Sequence, residues 1–313
     1  MDQDYDVIVL GAGPAGLTAG IYLGRAKKRT LIIDTAMPGG QMILSYHVAN
    51  YPGVEETSGV AIAMTMRKQA QTYGCRILTQ SKIGAVDLES PRKTVEVVGK
   101  GVFSSSVVII ATGGVPRTLG LESETRLQGR GISYCATCDG DFFTGMEIAA
   151  IGGGNSALEE AVSLTAYASK VTVIHEFDDF QAQPWVVAEA KKNPKIHFLM
   201  EQDIKEFAGE ERLEKVICSH KKTGEVTEVP AAGCFVFIGY VPNSSAFAGV
   251  LDIDERGQIV AGEDMATNVP GVFAAGDCRA KRYRQITTAV SDGAIAAMAT
   301  IEMLDARTQQ AAA

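Results

Sequence analysis

The chain has 313 residues, enough for two domains that each bury a core of their own. It is 46% apolar and 21% charged, as globular proteins usually are, and its net charge of -8 argues against a nucleic-acid surface, which requires clustered Lys and Arg. Apolar runs such as Val107–Ala111 and Cys234–Ile238 are too short to span a bilayer and read as buried strands of a parallel sheet, and the acidic start Met1-Asp-Gln-Asp-Tyr-Asp lacks the basic opening of a secretory signal, so no membrane association and a cytoplasmic location are expected.

The first predicted element is a strand, Asp6–Leu10, which runs straight into Gly11-Ala-Gly13-Pro14-Ala15-Gly16. Helical composition follows over 15–25, then a second strand over 30–34 that ends in Asp34. This is the grammar of a dinucleotide-binding βαβ unit. Gly11 permits the tight turn, Gly13 lets the backbone approach a pyrophosphate, and Gly16 lets helix and strand pack closely. Free N–H groups at the helix start attract the phosphates, and Asp34 stands where a carboxylate accepts hydrogen bonds from an adenosine ribose.

The same grammar recurs. A strand over 147–151 meets Gly152-Gly-Gly154-Asn155-Ser156-Ala157, a helix is expected over 155–167, and a second strand over 170–175. Each half later carries a strand ending in glycine: Val108-Ile-Ile-Ala111-Thr112-Gly113-Gly114 and Phe235-Val-Phe-Ile-Gly239-Tyr-Val-Pro-Asn243. The predicted fold class is α/β, with two Rossmann-like, three-layer dinucleotide-binding domains, the second inserted within the first. Residues 1–113 and 245–313 form one domain and 114–244 the other. Residues 308–313 read as a frayed tail.

Cys135-Ala-Thr-Cys138-Asp139 lies between the two glycine fingerprints. Two cysteines at this spacing close a small disulfide at a helix start, where a thiol pKa is lowered. The competing reading is half of a zinc site. That needs two more ligands, yet no second CxxC exists and His47, His175, His197 and His220 stand apart, with Cys218-Ser-His220 the nearest pair. Asp139 either moves the proton that thiol exchange needs or caps a helix. Cys75, Cys218, Cys234 and Cys278 are scattered singly and read as buried apolar residues. Two dinucleotide sites and one dithiol suggest an electron relay in which a nicotinamide gives a hydride, a flavin accepts it and a disulfide is reduced.

Taken together with Gly39-Gly40-Gln41, Asn50-Tyr-Pro-Gly53, Gly271-Val-Phe-Ala-Ala-Gly-Asp277 and Arg284-Gln285-Ile286, these motifs resemble the low-molecular-weight thioredoxin reductases over nearly the whole chain. The resemblance implies FAD in the first domain, on the Gly11–Gly16 loop and near Ala111, Thr112 and Gly113. Asp34 would hold the adenosine ribose and Asp277 the ribityl chain. Gly40, Gln41, Asn50 and the segment Arg284, Gln285, Ile286 would line the flavin. It implies that Cys138 faces the flavin, that Cys135 attacks the substrate disulfide through a mixed disulfide, that Asp139 shuttles the proton, and that thioredoxin is the partner. It implies a homodimer, and a domain rotation with Gly113, Gly114 and Gly239 as pivots. Family members use aromatic residues near Phe142-Phe143 to receive thioredoxin, although Asp141 here stands where an aromatic is common.

One stretch departs from that pattern. NADPH-dependent members follow the second strand of the inserted domain with His-Arg-Arg and a further Arg, which neutralise the 2′-phosphate. This chain has His175-Glu176-Phe177-Asp178-Asp179-Phe180-Gln181, with all three basic positions gone. Glu176 at the strand end can accept from a ribose 2′-OH and repels a 2′-phosphate. The expected donor is NADH, with NADPH disfavoured and with Gly152, Gly154, Asn155, Ser156, Ala157 and Glu176 forming the nucleotide site. The alternative is a relative that lacks the basic motif and takes electrons from ferredoxin or another protein. A flavin-binding regulatory module without turnover, and a hydroperoxide-reductase flavoprotein, which carries an additional N-terminal thiol module, are further readings.

Overall fold

The structure is a computed structural model and describes residues 3–45, 48–55 and 57–312. His47, one of the four histidines weighed above, lies outside the described residues. Two compact units are present: Met1–Val115 with Val241–Ala313, and Pro116–Tyr240.

In the first unit, β1 (Asp4–Leu10) leads into α1 (Pro14–Arg25) and β2 (Thr30–Ile33). Then come α2 (Gly59–Thr72), β3 (Arg76–Leu78), β4 (Ile83–Asp87), β5 (Lys93–Val97) and β6 (Gly101–Ile110). The sheet runs β3-β2-β1-β6, all parallel, with Val7 to Leu10 completely buried at its centre. The Val107–Ile110 run is parallel to β1, but the first half of β6 pairs antiparallel with β5, so the sheet is mixed. Alternation in Lys93-Thr-Val-Glu-Val drives that hairpin, because only every second side chain is fully buried.

The chain crosses to the second unit along β7 (Gly114–Pro116) and returns along β16 (Tyr240–Pro242), and these two crossings pair with each other. Between them lie α3 (Glu122–Leu127), β8 (Ile132–Ser133), α4 (Ala136–Asp139), β9 (Glu147–Ile151), α5 (Asn155–Leu164), β10 (Lys170–Ile174), α6 (Pro184–Lys192) and β11 (Ile196–Leu199). An antiparallel sheet of β12 (Gln202–Ala208), β13 (Lys215–His220) and β14 (Val226–Pro230) precedes β15 (Gly233–Val236). The parallel sheet of this unit runs β11-β10-β9-β15-β8.

After the return, β17 (Val272–Ala274) pairs parallel with the end of β6, and α7 (Ile286–Ala312) closes the first unit. The return falls at 240/241, where the sequence placed it at 244/245. Hydrogen bonds bring residues 241–244 into the first unit: Thr112 Oγ1 donates to Asn243 O (2.6 Å), Asn243 Nδ2 to Thr112 O (2.9 Å), and Ser244 Oγ to Gly257 O. The expected frayed tail is also corrected: residues 308–312 continue α7, anchored near its end by an ion pair from Lys28 to Asp305 (2.5 Å). The helix expected over 155–167 ends at Leu164, where the Thr165 hydroxyl turns back to Val162 O.

Candidate functional site

In the first unit the loop Gly11–Gly16 is fitted so closely that side chains are excluded. A Cβ on Gly11, whose φ is +108°, would lie 2.2 Å from Ala111 O, and one on Gly16 would lie 1.9 Å from Gly11 O. At Gly13 the nearest atom to such a Cβ would be Gly40 Cα, 3.9 Å away, which leaves an approach to the backbone. Gly13 caps α1 without any side-chain hydrogen bond, whereas α2 is capped by Ser58 Oγ on Ala61 N. Unfilled N–H groups at a glycine cap suit a phosphate. Asp34 joins this loop: its carboxylate accepts Ala12 N (2.5 Å) and Ala36 N (2.7 Å).

The other predicted residues of this unit include Asn50 and Gln285, whose side chains meet at 3.5 Å, and the exposed Gln41. Asp277 Oδ1 is buried with no hydrogen-bond partner and faces Lys281 Nζ at 3.3 Å. Burial pushes the Asp277 carboxyl up, against the pull of Lys281 and Arg284. Asp292 takes the firmer contacts, accepting Gly276 N (3.1 Å), Arg279 Nε (3.0 Å) and Lys281 Nζ (3.0 Å). A buried carboxylate oxygen held by one ion pair but no hydrogen bond, one residue from Gly276, which packs on Ala15 of the glycine loop, fits a polar cofactor such as FAD.

The second unit repeats the cradle. A Cβ on Gly152 would lie 2.5 Å from Phe237 O, and nothing stands within 4 Å of one on Gly154. Gly154 caps α5 without a side-chain bond, Ser156 is exposed and Ala157 buried. Asn155 Oδ1 accepts Gln183 N (2.7 Å), and Gly154 bridges to Gln181. The His175 ring covers Gly153, where a Cβ would lie 2.3 Å from it, and stacks on Phe180 with centroids 5.7 Å apart. Burial pushes the His175 pKa down, so the ring favours its neutral form.

Cys135 and Cys138 form a disulfide with Cα atoms 5.3 Å apart. Cys135 is the N-cap of α4, a single turn that passes into a 3₁₀ turn over Gly140–Phe143, so little helix dipole acts on the thiols. The sequence reading missed Ser133. Its Oγ donates to Asp139 Oδ2 (2.5 Å) and accepts Cys135 N (3.1 Å), tying the carboxylate to the dithiol backbone. Asp139 is therefore not the side-chain cap of α4. One residue further, Tyr134 OH donates to the buried Glu124 (2.8 Å), whose other oxygen accepts Leu119 N and Gly120 N. Phe143 turns inward, edge-on to Phe235 at 5.5 Å, while Phe142 is exposed.

Glu176 lies just beyond the end of β10, as its sequence position suggests, but it is not alone there. Lys221 Nζ stands 3.1 Å from its Oε2, and the bond to Glu176 raises the Lys221 pKa. A cation from a distant turn thus occupies the neighbourhood that the sequence reading had emptied of basic residues. Cys75, Cys218, Cys234 and Cys278 are all buried, and burial raises each thiol, that of Cys75 to about 11. Among the described residues no group of three or more His, Cys, Asp or Glu could hold a metal, and no helix is long and apolar enough to cross a membrane.

Residues 5–293 match the family described as pyridine nucleotide-disulphide oxidoreductase. The chain is 42% identical to a thioredoxin reductase from Peptoclostridium acidaminophilum, across 99% of this chain and 100% of that protein. It is 42% identical to a thioredoxin reductase from Bacillus subtilis, across 95% of this chain and 93% of that one. The solved thioredoxin reductase from Streptococcus pyogenes superposes with a TM-score of 0.94 at 36% identity, covering 98% of this chain and 100% of the other.

Proposed function

The chain belongs to the pyridine nucleotide-disulphide oxidoreductase family and is an FAD-dependent oxidoreductase of the thioredoxin reductase type, and we propose that its donor is NADH in preference to NADPH and its acceptor a thioredoxin. The Cys135–Cys138 disulfide with Asp139 tethered beside it through Ser133 supports the acceptor half of this reading, and Glu176 just beyond β10 supports NADH as donor. FAD, when bound, supplies a two-electron carrier between nicotinamide and disulfide.

The chain's own residues then divide the work. The Gly11–Gly16 loop, Asp34, Ala111–Gly113 and Asp277 would hold the flavin nucleotide, and Gly40, Gln41, Asn50 and Arg284–Ile286 would line the flavin. Gly154, Asn155, Ser156 and Ala157 at the start of α5 would offer backbone N–H groups to the pyrophosphate of the donor, Gly152, whose own N–H is bonded to Ile174 O, makes the tight turn beneath them, and Glu176 would accept from the 2′-OH. Cys138 receives the electron pair and Cys135 leaves as a thiolate. Cys135 attacks the disulfide of thioredoxin; Cys138 then resolves the mixed disulfide, and Asp139 moves the proton between thiol and solvent. Gly113 (φ +61°) and Gly239 (φ +119°) immediately precede the two crossings, backbone settings that suit the hinge implied by the family resemblance. A homodimer in the cytoplasm completes the reading.

Turnover of thioredoxin with NADH, followed by thiol release, tests this assignment. Sustained release with NADH supports it. Release only with reduced ferredoxin as donor would remove NADH from the scheme.

A further inference from the structure

Lys221 reaches Glu176 from the turn after β13, and the backbone fixes that approach. Gln202 N donates to His175 O (2.9 Å), Glu201 N to Phe177 O (3.1 Å), and Lys221 N to Glu201 O (2.7 Å). Glu201 adopts a left-handed φ of 58°, an uncommon setting for a residue with a Cβ. Two turns are thereby stacked on the loop that follows β10. The ammonium of Lys221 also faces Asp203 Oδ1 (3.6 Å) and the ring of the exposed Phe177 (5.1 Å to the centroid). Its neighbour Lys222 is engaged separately, with Glu201 Oε1 at 2.5 Å.

We infer that Lys221 is a specificity-determining residue: a cation able to read a nucleotide 2′-phosphate, which Glu176 holds in check. The inference rests on the reading that Glu176 faces the adenosine ribose. On this account, rejection of NADPH comes from the Glu176–Lys221 pair and not from a lack of positive charge. With Glu176 ionised, the pair is close to neutral, and its carboxylate suits a 2′-OH. A 2′-phosphate would meet that carboxylate at close range. Replacing Glu176 by an uncharged side chain leaves Lys221 with the longer contact to Asp203 and the face of the Phe177 ring, neither of which neutralises it as Glu176 does, and Lys binds phosphate as a point charge. Lys221 is one-third exposed, so its charge is open to a ligand.

The test uses FAD-loaded protein and two probes, 5′-AMP and 2′,5′-ADP, with dissociation constants measured by calorimetry for the native chain, Glu176→Gln, Lys221→Gln and the double variant. Glu176→Gln is expected to raise the affinity for 2′,5′-ADP relative to 5′-AMP about tenfold, the worth of one partly screened charge contact. The double variant should return most of that gain. An equal gain in Glu176→Gln and in the double variant would show relief of repulsion alone and overturn the role of Lys221. No gain in Glu176→Gln, with 5′-AMP still bound by the native chain, would also overturn the inference and leave the nucleotide site standing. Binding of neither probe by the native chain, together with no loss of flavin absorbance on adding NADH, would overturn both.

Discussion

The hydroxyl of Ser133 joins the two ends of the redox motif: it stands 2.5 Å from Asp139 Oδ2 and 3.1 Å from the backbone nitrogen of Cys135. A carboxylate that serves a thiol, the role proposed for Asp139, needs a fixed direction, and a hydrogen bond to a charged group is worth about 1.5–3 kcal/mol. Ser133→Ala is expected to slow reduction of thioredoxin about tenfold while flavin reduction by the donor keeps its rate. Ser133→Thr, which retains the hydroxyl, should recover most of the loss. Stopped-flow measurement of the two half-reactions separates these effects, and equal slowing of both would point to a general structural fault.

The roles proposed for the two cysteines divide the reaction between flavin reduction and thioredoxin reduction. Cys135→Ser and Cys138→Ser should each abolish thioredoxin reduction and leave the flavin reducible by NADH. With Cys138→Ser, the remaining Cys135 thiol should also form a stable mixed disulfide, visible on a non-reducing gel, with a thioredoxin whose second cysteine is replaced and whose attacked cysteine carries a thionitrobenzoate leaving group. Trapping by Cys135→Ser instead would exchange the roles given to the two sulfurs.

Close approach of α7 to α1 depends on Gly293, where a Cβ would lie 2.1 Å from Ala15 O. Backbone cannot swing aside as a side chain can. Gly293→Ala should cost about 1–3 kcal/mol and lower the thermal midpoint by several degrees, read from flavin release. An unchanged midpoint would mean that the helices separate freely.

Asp277 carries a stability cost that a bound flavin would offset. Burial raises its carboxyl pKa above the ordinary 3.8, so the folded chain binds that proton more tightly than the unfolded chain does. Stability of the flavin-free protein must then fall as pH rises from 3.8 through the folded value, and the cost is fully present near neutrality. Asp277→Asn should gain on the native chain in denaturant midpoint at pH 7, lose that advantage towards pH 4, and bind FAD more weakly. A larger deficit at pH 7 than at pH 4 would reverse the sign of this argument.

The glycine loops and the dithiol were readable from sequence because their chemistry is local. Gly11, Gly16 and Gly152 sit where backbone oxygens leave no room for a side chain, and the strand–glycine–helix order announces such places. Ser133 and Lys221 were not readable in that way. A serine two residues before a cysteine has no distinctive pattern, and its role appears only when α4 folds Asp139 back onto it. Lys221 meets Glu176 only because β12 and β13 return the chain to the end of β10. The crossing at 240/241 was displaced in the sequence reading for a similar reason, since the bonds between Thr112 and Asn243 join residues far apart in the chain. Antiparallel pairing of β5 with β6 left a signal, the alternation over Lys93–Val97, that a search for parallel strands passes over.

Electrons are proposed to enter from NADH and to leave through Cys135–Cys138. Anaerobic titration of the flavin-loaded protein with NADH and, separately, NADPH measures the entry directly. Flavin absorbance should be lost at a much lower concentration of NADH than of NADPH, with thiols appearing on Cys135 and Cys138 as the titration proceeds. Equal or better reduction by NADPH would contradict the role given to Glu176, and no reduction by either, with dithionite still effective, would contradict nicotinamide as the source.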